Sequence, residues 1–259
     1  MVDTRLARDL REARGLIMAG QVLVDDQPIH QAGASIRLNA MVRLRGERIA
    51  YASRGGLKLE AALERFRVDV RERTVLDAGA STGGFTDCLL SRGAARVYAV
   101  DVGFGQLRGR LAQDPRVKNL ERTNIADLTR DTFTTPISLS TIDLSYVSLT
   151  KALAQLTPLF VGPPEFVALV KPLFEGLAES DVRRPDALLA VFDSFGAGLD
   201  RLDLTLMNAM TSPVFGGRGS VEFLVHLGSP GSTPARGWRT RVENDLEALL
   251  SPRSEDAHS

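Results

Sequence analysis

The chain has the size and composition of an ordinary globular protein. It has 259 residues, 44% of them hydrophobic, and its 32 basic residues balance its 32 acidic ones, as in soluble domains. No apolar run is long enough to cross a bilayer, and the N-terminus resembles neither a secretory signal nor a transit peptide, so we expect a cytoplasmic protein without a membrane partner. The single cysteine excludes an internal disulfide, and three scattered histidines predict no metal site.

The N-terminal segment is basic. Arginines recur every third residue and apolar residues lie between them, which predicts an amphipathic helix. Its outward side consists of Arg5, Arg8, Arg11 and Arg14. Its opposite side, expected to be buried, consists of Leu6, Leu10, Ala13, Ile17 and Met18. Such a stripe is either a solvated helix face, offset in part by Asp9 and Glu12, or a contact for the phosphates of RNA.

A helix-stopping glycine, Gly20, follows the stripe and leads into a short strand, a turn and a second short strand over residues 21–29. This helix and hairpin resemble the alpha-L RNA-binding motif of ribosomal proteins and RNA-modifying enzymes. That motif usually has one more helix before its arginines, and none is seen here, so a shortened module is expected. The resemblance implies a small RNA-binding domain over residues 1–50.

The most informative segment runs from Val75 to Thr86 and predicts a buried strand, a glycine-rich turn and the start of a helix. Small residues let the backbone approach a ligand, and a helix N-terminus offers unpaired N–H groups. The segment lacks the endings typical of a phosphate-binding loop or a dinucleotide-binding fingerprint. With a second strand ending in Asp101, it resembles the S-adenosylmethionine site of class I methyltransferases. The alternative is an ordinary strand–turn–helix joint with structural glycines.

From residue 74 onward, strands and helices alternate, which predicts an α/β Rossmann-like fold with a mostly parallel, seven-stranded sheet. We expect strands over 74–78, 96–101, 117–121, 138–144, 165–171, 202–212 and 220–227, and helices over 84–92, 105–113, 149–160 and 183–200. In such a sheet, ligands bind at the carboxyl ends of the strands. Asp77, Asp101, Asp143 and Lys171 each lie at or just beyond such an end.

Four charged residues interrupt apolar surroundings, namely Lys58, Asp143, Lys171 and Glu222. An isolated buried ion is costly, so each must be paired or functional. Taken singly, each is most simply explained as one half of a buried salt bridge. Taken together, four such residues favour a functional role over a structural one.

Residues 51–227 resemble the TlyA family of ribosomal RNA 2′-O-methyltransferases, which are related to the heat-shock methyltransferase FtsJ. The matching segments are 53–59, 76–86, 101–107, 121–124, 143–149 and 169–172. The resemblance implies methyl transfer from S-adenosylmethionine to a ribose hydroxyl of ribosomal RNA, with Lys58, Asp143, Lys171 and Glu222 as the catalytic set. The cofactor contacts that it implies are Asp77, Gly79, Ser81, Thr82, Gly83, Gly84, Phe85, Asp101, Val102, Asn124 and Asp143.

The sequence departs from that family where substrate would bind. The segment 173–181 is short and acidic in place of a Gly/Lys-rich loop, which would repel a phosphate backbone. An O-methyltransferase of the same fold that acts on a small hydroxylated metabolite is therefore the alternative. A membrane-lytic protein, suggested by a historical family name, is the weakest hypothesis because no spanning helix is found. Residues 229–259 predict a linker and tail with a short helix over 242–250, and nothing indicates the oligomeric state.

Overall fold

The chain folds into two compact units. The computed structural model describes residues 6–7, 9–25, 27–36, 40, 42–45, 50–145, 147–216 and 219–250. The first unit contains the described positions among 1–50, together with 214–216 and 219–220, and the second contains those among 51–213 and 221–250. None of the described helices is long and apolar enough to span a membrane.

The first unit consists of one helix, α1 (Leu10–Met18), and a three-stranded antiparallel sheet. Its strands are β1 (Val22–Val24), β2 (Gln27–Ile29) and β3 (Val42–Leu44), in the order β2-β1-β3. The predicted hairpin over residues 21–29 is confirmed by the pairing of β1 with β2. Gly20 adopts a φ of +65°, and a Cβ atom there would lie 2.7 Å from the His30 ring, so only glycine fits between helix and hairpin.

The predicted two-sided character of α1 is only partly confirmed. Arg11 and Arg14 are exposed as expected, while Arg5 and Arg8 lie outside the described residues. On the side predicted to be buried, Ala13 is buried, but Leu10 and Met18 are 77% and 72% exposed. That part of the prediction was wrong, because periodicity identifies an apolar side but not whether so small a unit has enough surface to cover it.

The second unit is built on the seven-stranded sheet that the sequence predicted. The strands are β4 (Thr74–Ala78), β5 (Arg96–Val100), β6 (Val117–Leu120), β7 (Leu139–Ile142), β8 (Phe166–Val170), β9 (Thr205–Thr211) and β10 (Phe223–Gly228). Their order is β6-β5-β4-β7-β8-β10-β9. Strands β4 to β8 are mutually parallel, and β10 runs antiparallel to both β8 and β9. Strands β4, β7, β8 and β10 are buried along their whole length, whereas the edge strands β6 and β9 are mostly half-buried. Buried central strands are typical of a sheet covered on both faces.

Helices connect and cover these strands. They are α2 (Gly55–Phe66), α3 (Gly84–Ser91), α4 (Gly109–Ala112), α5 (Leu149–Leu156), α6 (Pro185–Asp200) and α7 (Trp238–Leu250). Helix α2 packs against α3 and the β8–β10 edge of the sheet, whereas α5, α6 and α7 contact one another in succession. Helix α4 is much shorter than the predicted 105–113, because Gly105 has a φ of +67° and Arg108 is extended.

The C-terminal helix belongs to the second unit. Helix α7 begins four residues before the predicted 242–250 and packs on β9 and α6. Its Val242 and Leu246, one turn apart, are fully buried, and the Trp238 ring lies 5.4 Å from that of Phe192. The described residues 229–250 therefore pack as part of the second unit.

Candidate active site

The glycine-rich turn after β4 is held against the ends of the two neighbouring strands. The N–H groups of Gly79 and Ala80 both donate to the carbonyl of Val100, at 2.9 and 3.0 Å. Gly79 has a φ of +90°, and a Cβ atom there would collide with the backbone carbonyl of Asp143. Glycine is therefore required for both the turn's conformation and its close approach to β7.

Asp101, at the end of β5, is fixed by the backbone around it. One carboxylate oxygen accepts a hydrogen bond from the N–H of Ser81 at 2.8 Å, and the other accepts one from the N–H of Gly103 at 2.7 Å. Each oxygen keeps a further lone pair for a ligand hydroxyl. A carboxylate held in this way can accept hydrogen bonds from a ribose without reorganisation.

A cavity of about 630 Å³ opens at the carboxyl ends of β4, β5 and β7, within the size range of ligand sites. Six of the predicted cofactor residues line it, namely Gly79, Ser81, Asp101, Val102, Asn124 and Asp143. Between them lie apolar residues, including Val100, Ile125 and Leu144. The close glycine backbone, the fixed carboxylate and the apolar wall fit a cofactor that carries a nucleoside.

Five other predicted cofactor residues are not on the cavity wall. These are Asp77, Thr82, Gly83, Gly84 and Phe85. Phe85 is 3% exposed and lies in the core, while a Cβ atom on Gly83 would meet Leu111 and Leu107. These residues support the glycine-rich turn and the N-terminal end of α3 from behind. A sequence motif does not separate such supporting positions from those that face the ligand.

Asp77 is fully buried beneath the turn. Its carboxylate accepts hydrogen bonds from the hydroxyl groups of Thr86, at 2.6 Å, and Thr141, at 3.1 Å. Burial raises the pKa of Asp77 to about 7, against the lowering effect of these two hydrogen bonds. Asp77 thus connects β4, β7 and α3 from inside the fold, while the sequence had predicted direct contact with the cofactor.

The four predicted catalytic residues lie together at the end of the sheet where the parallel strands have their carboxyl ends. Asp143 and Lys171 directly follow the parallel strands β7 and β8, and Glu222 directly precedes β10. The antiparallel register pairs Phe223 with Val170, which brings Glu222 opposite Lys171. Lys58 reaches the same end of the sheet from the first turns of α2. The structure therefore brings together residues that are up to 164 positions apart in the chain.

The four side chains form two ion pairs that differ in exposure. The Nζ of Lys58 lies 2.5 Å from Oε2 of Glu222, with exposed side-chain fractions of 10% and 5%. The Nζ of Lys171 lies 2.6 Å from Oδ1 of Asp143, with fractions of 16% and 25%. The second pair adjoins the cavity, because Asp143 and Ser145 line it and Lys171 donates to the Ser145 hydroxyl at 3.1 Å.

The two pairs act on each other electrostatically. Burial raises the pKa of Glu222, and the nearby Lys58 ammonium opposes that effect. The Asp143 carboxylate also raises this pKa, while Lys171 lowers it. Glu222 therefore interacts with both lysines and with the other acid of the set, as in a single cluster of coupled charges.

Two carboxylates of the segment after Lys171 interact with other groups of the protein. Glu175 turns inward and accepts a hydrogen bond from the N–H of Leu149 at 2.6 Å, at the start of α5. Asp181 lies 3.3 Å from the guanidinium of Arg184. Two of the carboxylates that the sequence suggested would repel RNA thus have internal partners.

Several cavity residues were not predicted. Three of them, Gly103, Gln106 and Thr123, lie in the same loops as Asp101 and Asn124. Their closeness in sequence to predicted cofactor residues could have identified them. Gln155 reaches the cavity from α5. No motif marks it, because its contribution depends on how α5 crosses the sheet.

Comparisons with known proteins agree with this geometry. The 16S/23S rRNA (cytidine-2′-O)-methyltransferase TlyA of Mycobacterium tuberculosis is 39% identical over 237 residues, which are 88% of this chain and 87% of that protein. Hemolysin A of Brachyspira hyodysenteriae is 34% identical over 83% of this chain and 92% of its own length. A solved structure from Streptococcus thermophilus, provisionally called a hemolysin, is 34% identical with a TM-score of 0.75, covering 95% of this chain and 94% of that one.

A family model described as FtsJ-like methyltransferase matches residues 51–229, the second unit from its start through the end of the sheet. This match confirms the predicted fold, enzyme class and methyl donor, S-adenosylmethionine. The chain belongs to the FtsJ-like methyltransferase family.

Proposed function

We propose that this enzyme methylates the 2′-hydroxyl of a ribose in ribosomal RNA. The observation that carries the proposal is the Lys171–Asp143 ion pair, which adjoins a cavity suited to a nucleoside-bearing cofactor. The Mycobacterium tuberculosis relative, 39% identical, is named for 2′-O-methylation of cytidine in 16S and 23S rRNA. A ribosomal RNA substrate, or a ribosomal subunit, places the enzyme in the cytoplasm.

In the proposed reaction, the ribose hydroxyl lies beside Lys171. Bound S-adenosylmethionine supplies an electrophilic methyl group on a sulfonium. Lys171 either accepts the hydroxyl proton as its amine, or stabilises the developing alkoxide as its ammonium while the proton passes to solvent. Asp143 and Ser145 orient Lys171 through contacts of 2.6 and 3.1 Å. Orientation of this kind contributes as much as ~7–11 kcal/mol in well-aligned systems.

The other pair supports the first. Lys58 and Glu222 are more deeply buried. We therefore assign them to positioning the Lys171–Asp143 pair and to setting the electrostatic potential around it. For the cofactor, Asp101 would accept hydrogen bonds from the ribose hydroxyls, Gly79 and Ser81 would hold the methionine part, and Asn124 would hold the adenine. Asp77 and the remaining turn residues hold this wall in place from behind.

The first unit is proposed as an RNA-binding domain. Arg11 and Arg14 are exposed on α1, the helix that precedes the hairpin. Arg5 and Arg8 lie outside the described residues but share the same three-residue spacing in the sequence, and a basic stripe of this kind suits phosphate contacts. The methyltransferase unit then acts on the RNA that this stripe helps to hold.

The test is transfer of labelled methyl groups from S-adenosylmethionine by the full chain. Its arms are unmethylated ribosomal subunits, naked ribosomal RNA and a small-molecule extract. We expect label in RNA, resistant to alkaline hydrolysis at one ribose, lost in Lys171→Ala and retained in Lys151→Ala, an exposed lysine of α5. Label that appears only in the small-molecule arm would replace the RNA proposal with the metabolite alternative.

The pH dependence separates the two roles of Lys171. A base role requires the neutral amine, so kcat rises with pH and then levels off. An electrostatic role requires the ammonium, so kcat falls once that group is deprotonated.

A further inference from the structure

A second cavity of the methyltransferase unit lies away from the cofactor site. Its volume is about 350 Å³, and the residues that line it are Arg65, Phe66, Arg67, Asn208, Ala235 and Arg241. They come from the end of α2, the middle of β9, the loop before α7 and α7 itself. None of these six residues carries a carboxylate, so the wall has three positive charges and no negative one.

Two carboxylates on elements that neighbour the cavity pair with other arginines. Glu64 pairs with Arg92 at 2.5 Å. Arg239, two residues before Arg241, pairs with Asp193 at 2.8 Å. Within the described ranges, Arg65 and Arg67 lie within 4 Å of no carboxylate. Such a distribution leaves the positive charge of the cavity uncompensated.

Arg241 is held in a fixed position by neutral groups. Its guanidinium donates to the carbonyl of Arg236 at 2.7 Å and to the side-chain oxygen of Asn208 at 3.2 Å. Its Nε is buried and has no hydrogen-bond partner in the described part of the chain. A buried guanidinium N–H without an acceptor is costly, and an anionic ligand that reached it would satisfy it.

Arg67 stands where a smaller residue is usual. It caps the C-terminus of α2 in the left-handed conformation, with a φ of +58°, which favours glycine or asparagine. Both it and Arg65 are exposed. Their forked donors suit a planar or tetrahedral oxyanion, and phosphate above all.

We propose that this three-arginine cavity binds a phosphodiester of the RNA substrate, as a contact separate from the N-terminal stripe. The inference rests on the proposed function. Arg65 lies seven residues after Lys58 on the same helix, about 10 Å along its axis. Asn208 pairs with His226 on β10, four residues from Glu222 and about 13 Å along that strand. A structured RNA with one ribose at the catalytic pairs is long enough to reach this cavity.

The test compares two double variants of the full chain. Arg65→Gln/Arg67→Asn removes two charges, and asparagine tolerates the left-handed conformation at position 67. The matched control, Arg71→Gln/Arg116→Gln, removes two arginines that are already paired with Asp69 and Asp114. Binding of ribosomal RNA is measured between 50 and 300 mM salt, roughly the range in which phosphate contacts dominate, and methylation is measured at varied RNA.

For the cavity variant, we expect the slope of log K against log[salt] to fall in magnitude by about 0.7–0.9 for each lost contact. We also expect the KM for RNA to rise about tenfold, a typical loss for charged hydrogen bonds, with kcat and S-adenosylmethionine affinity unchanged. The control variant keeps the wild-type slope and KM. Equal slopes for the two variants, with normal RNA methylation by the wild type, would overturn the inference.

A third measurement distinguishes failure of the proposed RNA methylation from failure of the three-arginine anion site. If the wild-type enzyme methylates no RNA, the proposed function fails, and the RNA inference fails with it. Titration with inorganic phosphate then tests the anion site itself, through a rise in Tm that Arg65→Gln/Arg67→Asn abolishes. Phosphate binding at these arginines with an unchanged RNA slope identifies a small-anion site and rejects the RNA assignment.

Discussion

The charged residues at the carboxyl edge of the sheet fall into two groups. The cavity group, Asp101, Asp143 and Lys171, lies on or against the wall of the large cavity. The sealed group, Asp77, Lys58 and Glu222, is no more than 8% exposed. Both groups contain the same residue types in apolar surroundings, and the sequence placed members of both in the candidate site. Their difference in burial shows that such a motif combines residues that contact ligands with residues that hold them.

The largest effect is expected for the cavity group. Lys171→Ala removes the group that we propose acts on the attacking oxygen, so we expect kcat to fall by about 10²–10⁴ with little change in Tm or in S-adenosylmethionine affinity. Methyl transfer, thermal unfolding and calorimetry measure the three quantities on the same preparation. A fall in activity that merely follows a fall in Tm would place Lys171 in the sealed group.

The sealed pair is expected to affect stability. Glu222→Gln leaves the buried Lys58 ammonium without a counterion, which typically costs about 3–5 kcal/mol. The double variant Lys58→Met/Glu222→Leu removes both charges and should recover most of that loss in urea unfolding.

Activity then decides what the sealed pair contributes. If the pair positions the catalytic lysine, the double variant is stable but turns over slowly. Full activity of the double variant would show that the pair is structural only.

Asp101 tests whether a residue of the cavity group affects cofactor affinity without affecting stability. Asp101→Asn replaces a charged acceptor that is held by two backbone N–H groups. We expect S-adenosylmethionine to bind roughly 10- to 100-fold more weakly, as for a lost charged hydrogen bond, with an almost unchanged Tm. Asp131→Asn, which changes an exposed carboxylate away from the cavity wall, is the control, and calorimetric titration is the measurement.

The smallest effect is expected for Asp77 and appears only as a pH dependence. Its pKa in the folded protein is about 7, above the ordinary value of 3.8, so the native state holds the proton more tightly than the unfolded chain. The stability from this proton is fully present below about pH 4 and is lost as the pH rises through about 7. Between pH 6 and pH 8, wild type should lose about 1 kcal/mol more than Asp77→Asn in urea unfolding. Parallel curves for the two proteins would contradict this assignment.

Much of the methyltransferase unit could be predicted because its signals are local. The turn at residues 79–84 requires glycines for its own conformation, and the alternation of short apolar runs with helices requires a parallel sheet. The carboxyl ends of parallel strands meet at one edge, so the sequence order alone predicted that Asp101, Asp143 and Lys171 would share a site. The short helix α4 was overestimated because Gly105 has a left-handed conformation that its sequence context did not reveal.

The amino-acid sequence by itself determined the fold class, the position of the cofactor turn and the identity of the four catalytic candidates, because each depends on nearby residues or on the chain order of strands. Only the tertiary structure decided which charges face the cavity and which are sealed. It also decided that Glu175 turns inward to α5, that Leu10 and Met18 of α1 remain exposed, and that arginines at the end of α2 share a cavity with one from α7. These outcomes depend on burial and on contacts between elements far apart in the chain, which no local pattern of residues encodes.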